Sequence, residues 1–483
     1  MPTLELGLDG CSPVARPGTV TLADSELLDA RLRRRVLSVD AVPRFEPISV
    51  PDGATTLADI SGQPFWIRAD HGKEERHLVA AALPELQGGE SLRDLLSPGR
   101  IPALLPVVHF LREITGYSEV EHPPLRACFV IDDPNLHSAR YGFLDYRRLV
   151  EHAKEHDYHA AMATVPLDGW FARDPTVRLF RGATSHLSLL MHGNNHTRSE
   201  LRSTRDLLFP MLAQALARID AMERRLGLDV GRIMVPPHEV WSNDVPEVLA
   251  ALGYEALCAD YRPQEFDDDA LRGWRSADLT RAGLPILGRR LFVQPHLEQI
   301  LLLSAYLDQP MIAYGHHGDV RDGLEILART AEIVRSSGET AWMSPTAISR
   351  SNYTVHRGAV ATVTLYSSRV TIAPHGAEVI FVRIPADLGR SEADTLVVGG
   401  ATVPLHRSGS ELISEPVRVA GQTLDVSIRR ESHVELRAIP KPQSAFRPVV
   451  RRVLTEARDR FEPLVWRAST RLRTKDVREG ERA

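Results

Sequence analysis

Residues 127–135 read Ala-Cys-Phe-Val-Ile-Asp-Asp-Pro-Asn. The β-rich apolar run Ala127–Ile131 stops at two carboxylates, Asp132 and Asp133, and Pro134-Asn135 then turns the chain. The same arrangement recurs downstream. Leu187–Met191 leads into His192-Gly-Asn-Asn-His196, and Arg232–Val235 leads into Pro236-Pro237-His238-Glu239. Met311–Tyr314 leads into Gly315-His316-His317. Further strand candidates are His159–Val165, Ala256–Ala259 and Ile286–Phe292. Helical periodicity falls between them at Asp145–His156, Leu207–Leu226, Val245–Leu252 and Leu324–Ser336. Strand–helix alternation on this scale predicts an α/β fold whose parallel strands close into a (β/α)7-like barrel, with an eighth strand left open.

Outward from this region the patterning changes. Residues 1–122 read as a mixed α/β unit, with a strand at Gln63–Arg68 and an amphipathic helix at Leu104–Glu113. Pro123-Pro124 marks the start of the barrel, assigned to 123–352. Over 353–440 the helical period gives way to short β-rich segments: Ala361–Tyr366, Glu378–Ile384, Thr395–Val398, Leu424–Ile428 and Val434–Ala438. Their spacing predicts a β-sandwich. Residues 441–483 carry 12 Lys/Arg against 6 Asp/Glu. Phe446, Val449, Val450, Val453, Phe461, Leu464, Val465 and Trp466 suggest an amphipathic helix there. Such a helix either docks with a solvated basic face or lies on an anionic membrane or a partner.

The overall charge of −5 gives no field that argues for nucleic acid. Three widely spaced cysteines, Cys11, Cys128 and Cys258, form no CxxC pair, which argues against a disulfide framework or zinc–thiolate site. The apolar run Ile300–Leu307 is far too short to span a bilayer. With no basic-then-apolar leader at the N-terminus, the expectation is a cytoplasmic protein, peripheral to the inner membrane face if the tail binds lipid. The acidic run Asp267-Asp268-Asp269 reads as an exposed loop, and the single histidines His296 and His356 as structural or surface residues.

Chemistry concentrates at the strand ends, where parallel α/β folds carry their functional groups. Two adjacent carboxylates are costly at such a point unless a proton or metal separates them, although Asp-Pro-Asn is also ordinary turn chemistry. Two imidazoles four residues apart can reach one ion, and Gly193 allows close backbone approach. The bland alternative is a loop histidine pair. His316 and His317, flanked by glycines, suit a general acid.

These residues resemble the NodB-like polysaccharide deacetylases of the glycoside hydrolase/deacetylase barrel superfamily. Phe129-Val-Ile-Asp132-Asp133-Pro is similar to that family's Thr-Phe-Asp-Asp-Gly motif, and His192 and His196 match its His-x-x-x-His. The resemblance implies Asp132 as catalytic base and Asp133, His192 and His196 as ligands of one divalent metal ion. Zinc fits best, with Co2+, Ni2+ or Fe2+ as alternatives. It implies His316 or His317 as general acid. Asn135, Asn195, His238, Glu239 and Trp241, in the same strand-end loops, are the candidate substrate contacts. The family's Arg-x-Pro-x-Gly motif is matched loosely by Val235-Pro-Pro-His-Glu239: Val235 stands where the base-steadying arginine normally does, and Glu239 where glycine does. The activity so implied is metal-dependent removal of an acyl group from an N- or O-acylated carbohydrate. Two rivals remain: a metal-independent glycosidase using Asp132 and Glu239, and a non-catalytic barrel that binds glycan or a partner.

Overall fold

The computed structural model describes every residue except 1, 8–16, 41–44, 72–73, 81–98, 261–276, 281, 374–375, 386–387, 389–393, 420, 432, 437–438, 440–445 and 481–483. Cys11 and the Asp267–Asp269 run therefore lie outside the described residues.

Seven strands form a closed parallel barrel: β1 (Leu125–Asp132), β2 (Ala160–Thr164), β3 (Leu187–His192), β4 (Val230–Val235), β5 (Ala256–Ala259), β6 (Pro285–Leu291) and β7 (Met311–Gly315). β7 pairs with β1, and β1 with β2, which closes the ring. An eighth parallel strand, Thr340–Trp342, pairs only with Leu125–Ala127 at the start of β1. β2 takes over that same edge from Phe129 onward. The barrel is thus seven-stranded at its mouth, with the extra strand filling in at its base.

Period-two alternation sorts the side chains. Cys128, Val130, Ala161, Ala163, Ile233, Cys258 and Ile312 point inward, and the small residues among them fit the narrow interior. Phe129, Ile131, Met162 and Met191 point outward beneath the helices. Cys128 and Cys258 are buried free thiols. Helices follow the strands as the periodicity predicts, within a few residues: Tyr146–Glu155, Arg205–Leu226, Val245–Ala251 and Glu325–Ser336. Asp145 caps the first by accepting from the Arg147 and Arg148 backbone N–H groups. Gly227, in the left-handed region, ends the second.

Helix Leu297–Tyr306 is absent from the periodicity reading because it is apolar all round. Leu297, Leu301 and Ala305 pack on the barrel, while Leu302 and Tyr306 join the N-terminal core. That core belongs to a six-stranded mixed sheet over Thr3–Val79, covered by helix Ile101–Ile114. Asp308 fastens the junction, accepting from Arg31 (3.0 Å) and Arg112 (3.2 Å).

Beyond the barrel, two sheets share one buried core, with Val363, Ile380 and Val382 on one and Val370, Leu396 and Val426 on the other. Val120–Glu121, just before the barrel, pairs with Tyr353–His356, just after it. The strand expected at Val434–Ala438 is not formed at its described residues. Val434 N–H instead bonds to Ala251 O, and Leu436 packs on the barrel's outer core, so this segment straps the sheets to the barrel.

His159 shows how burial couples to pH. It is buried at the base of the barrel, its ring nitrogens meeting Ser185 O (3.0 Å) and Ser188 Oγ (2.8 Å). Burial lowers its pKa to about 4, below the usual 6.5. Between those values the unfolded chain holds the extra proton, so stability is full above pH 6.5 and declines towards pH 4. Denaturant titration at pH 7 and pH 4.5 will show that decline reduced by about 2–3 kcal/mol in His159→Gln.

Candidate metal centre and active site

The strand ends bring Asp133, His192 and His196 together. Their ligand atoms lie within 4.8 Å of one another. Asp133 Oδ1 is 2.9 Å from His196 Nε2 and 3.5 Å from His192 Nε2. It is buried and has no hydrogen-bond partner of good geometry. Asp132 and Asp133 part company because β1 ends between them. Asp132 continues the inward alternation, while Asp133 (φ 64°) turns the other way. His196, His238 and Glu239 also take left-handed conformations unusual for side-chain-bearing residues. Strain of this kind collects where a fold over-determines a site.

His192 Nδ1 lies 2.9 Å from the Val235 carbonyl oxygen, which can only accept. Nδ1 therefore carries the proton and Nε2 turns a lone pair to the centre, the usual support for a metal-binding imidazole. Burial lowers the His192 pKa to about 4, so the ring is neutral near pH 7. Burial alone would raise the Asp133 carboxyl, but His196, His192 and Arg452 outweigh it and hold it well below the carboxylate range. The donor set of two imidazoles, one carboxylate and an unsatisfied buried oxygen fits a divalent ion.

The loop between the two histidines is held by Glu200, which the sequence reading did not single out. Its buried carboxylate accepts from the backbone N–H groups of Asn194 (2.9 Å), Asn195 (3.0 Å) and His196 (3.2 Å). Gly193 is required: a Cβ there would fall 2.0 Å from Glu200 Oε1 and 2.5 Å from Pro237 Cγ. Arg218 donates to Asn195 Oδ1 (2.8 Å) and holds that side chain beside the loop.

Asp132 is gripped by an arginine from an unexpected strand. Arg289 of β6 donates to both of its carboxylate oxygens, at 2.7 and 2.8 Å. The same guanidinium donates through Nε to Glu239 Oε1 (2.8 Å) and stacks on Tyr314, 3.8 Å from the ring centroid. Glu239, past the end of β4, shares this guanidinium from β6, so one buried cation balances two carboxylates. The signal was present in the sequence: Arg289 lies two residues after the inward-facing Leu287, on the same face of the strand. Burial works against ionisation of Asp132, but Arg289 and His192 hold its pKa below the usual value. Burial raises Glu239, with Arg289 pulling the other way.

The other candidates separate. His316 is exposed and near enough to help hold the Asp132 charge. His317 is buried edge-on against Tyr141, with Nε2 3.7 Å from Asp459. His238 is exposed at the mouth, its ring 4.8 Å from that of His196. Asn135 is buried and its side chain accepts from Ser138 N–H. Two expected substrate contacts lie elsewhere: Trp241 is packed in the outer core of the barrel, and Glu239 is spent on Arg289 and on the Asp260 N–H. His296 and His356 are exposed, away from this cluster.

Helix Phe446–Gly480 crosses the mouth. It docks through buried Arg452 and Asp459, while Arg447, Arg451, Arg458 and Arg460 stay exposed. Arg452 donates to Asp168 (Nε to Oδ2, 3.0 Å) and comes within 3.8 Å of Asp133. A cleft of about 370 Å3 lies between this helix and the loop Asn135–His137, with Asp168 and Phe171 in its wall.

No protein-family model and no curated protein sequence matches the chain. Among solved structures it is similar to a Mycobacterium smegmatis protein provisionally named as a polysaccharide deacetylase, at 12% identity and TM-score 0.34, over 48% of this chain and 94% of that one. It is similar to a family 4 carbohydrate esterase from Streptomyces lividans at 12% identity and TM-score 0.29, over 46% and 92%. A family 4 esterase of Streptococcus mutans matches at 15% identity and TM-score 0.28, over 46% and 87%.

Proposed function

We propose that the chain is a metal-dependent hydrolase that removes an acyl group, acetyl by preference, from an N- or O-acylated carbohydrate. The observation that carries this reading is the convergence of Asp133, His192 and His196 around an unsatisfied carboxylate oxygen, beside a separate ionised carboxylate. The motif resemblance around the same residues supplies the substrate class. Asp133 and the two imidazoles would hold the ion, with zinc favoured by the nitrogen donors. Bound there, it supplies Lewis acidity towards the acyl group and the attacking water.

The chain's own groups handle the protons. Asp132 is held ionised by Arg289 and takes a proton from water as oxygen adds to the acyl carbon. Each carboxylate oxygen keeps a lone pair beyond the one Arg289 uses. His316, exposed at the mouth, gives a proton to the leaving nitrogen or oxygen as the acyl bond breaks. The products are the free acid and the deacylated sugar. With Asp132 and Glu239 clamped on one guanidinium, the two-carboxylate glycosidase is the poorer reading.

The test is elemental analysis of the purified chain together with acetate release from N-acetylated and O-acetylated oligosaccharides. Stoichiometric metal, chelator-sensitive release and recovery on adding Zn2+ are expected. Release that survives complete metal removal, or no metal uptake at all, overturns the reading.

A further inference from the structure

The helix over the barrel mouth has its polarity inverted relative to a docked terminal helix. Its inward side carries Arg452 and Asp459, both buried, with Glu456 between them half-buried. Its outward side is apolar. Phe446, Leu454, Phe461 and Val465 are 80, 65, 62 and 66% exposed, and Val450, Val453 and Leu464 accompany them. At 3.6 residues per turn these seven side chains fall within an arc of about 120°. They form one continuous stripe, five turns long; Val453 and Phe461, on its cleft side, also border the opening opposite Asn135–His137, and no described element covers the rest.

The charges say what the stripe meets. On the same projection Arg447, Arg451 and Arg458 border one edge of the stripe and Arg460 borders the other. Of the carboxylates, Asp459 is buried beside His317, Glu456 lines the cleft and pairs with Arg460 (2.8 Å), and Glu462 stays exposed behind the Arg451 edge, 4.0 Å from His317. Arg447 and Arg451 make no ion pair with a described residue. Two copies pairing through this stripe would bring the unpaired Arg447 and Arg451 of each together, with more arginines than carboxylates along the seam. An apolar row bordered by arginines suits a surface that takes apolar side chains below and presents negative charge at their edges. No helix among the described residues is long and apolar enough to cross a membrane, so contact would be lateral.

We propose that this helix is an adsorption face for an anionic lipid surface, and that the protein lies with its barrel mouth turned towards that surface. The inward contacts hold the helix to the site: Arg452 on Asp168, Asp459 beside His317, and Arg321 over the Trp466 ring at 5.3 Å. The outward face is then presented by the rest of the fold as a fixed platform. The seven apolar side chains enter the headgroup boundary while the arginines meet the lipid phosphates.

The experiment is co-sedimentation of the full chain with vesicles of phosphatidylcholine alone and of phosphatidylcholine mixed with phosphatidylglycerol. Two variants keep the fold because they alter only exposed side chains: Leu454→Ser with Phe461→Ser, and Arg447→Glu with Arg451→Glu. Circular dichroism verifies that they remain folded. Binding to the phosphatidylglycerol vesicles alone is expected, weakening with salt. The arginine variant should bind about 30-fold more weakly or worse, and the apolar variant should lose binding to a similar degree. No binding, equal binding to the neutral vesicles, or binding unchanged in both variants overturns the proposal. So does a dimer in analytical ultracentrifugation that Leu454→Ser with Phe461→Ser dissociates, since a second copy would then be the occupant. Capture by an acidic protein in place of anionic vesicles counts against it equally.

Discussion

Arg289→Met lowers the free energy of unfolding by about 3–5 kcal/mol. The reason is the company that Arg289 keeps. Its guanidinium is 1% exposed and donates to Asp132 and Glu239, whose side chains are 4 and 6% exposed. Removing it leaves two buried carboxylates without the cation that they share, and one of them must take up a proton or draw in water. Urea titration at pH 7 reads the effect as a lowered midpoint with an unchanged slope. A triple variant, Arg289→Met with Asp132→Asn and Glu239→Gln, should recover most of the loss, because the stranded charges have gone with the arginine. Arg289→Lys should fall between: it keeps the charge but cannot form the two-pronged grip on Asp132. A single variant within 1 kcal/mol of the parent would show that the three groups are not a coupled charge cluster.

The same cluster marks the limit of what the sequence discloses. Barrel strands were legible to within a few residues because strands buried on both faces are unbroken apolar runs, and their ends are where polarity returns. That is how Asp132, Asp133, His192 and His196 were found. Arg289 was not, since it sits inside a strand and its partner Asp132 lies 157 residues away. Period-two parity with Leu287 placed it inside the barrel, but only closure of the sheet shows what it meets there. Glu200 was hidden for a different reason: its role is to receive backbone N–H groups, which leave no mark in side-chain chemistry. The C-terminal helix was legible as amphipathic but not in its orientation. The expectation that apolar residues face inward fails when the surface being covered is itself polar, as Asp168 and His317 make it here. The N-terminal sheet was barely readable, because strands of four to six residues such as Thr3–Leu6 and Val36–Val39 carry too little alternation to stand out.

Adjacent carboxylates with opposite orientations make the sharpest functional prediction. Asp133→Asn should weaken metal binding by at least about 100-fold, more than the loss typical when only a supporting group behind a ligand is removed. Activity should fall with it at ordinary metal concentrations. Asp132→Asn should leave metal content close to the parent's, because Asp132 faces Arg289 and supplies no atom to the Asp133–His192–His196 cluster. Its kcat should still fall by about 10²–10⁴-fold, the usual worth of a positioned proton acceptor. The two substitutions are the same change of one oxygen to nitrogen at neighbouring positions, so a general loss of folding would affect both measurements alike. Isothermal titration with Zn2+ and steady-state kinetics at saturating Zn2+ separate the cases. If excess Zn2+ restores Asp133→Asn and leaves Asp132→Asn inactive, one carboxylate holds the ion and the other moves the proton. If Asp132→Asn loses the metal as well, the division of roles at the end of β1 is wrong, and the pair acts as one ligand unit.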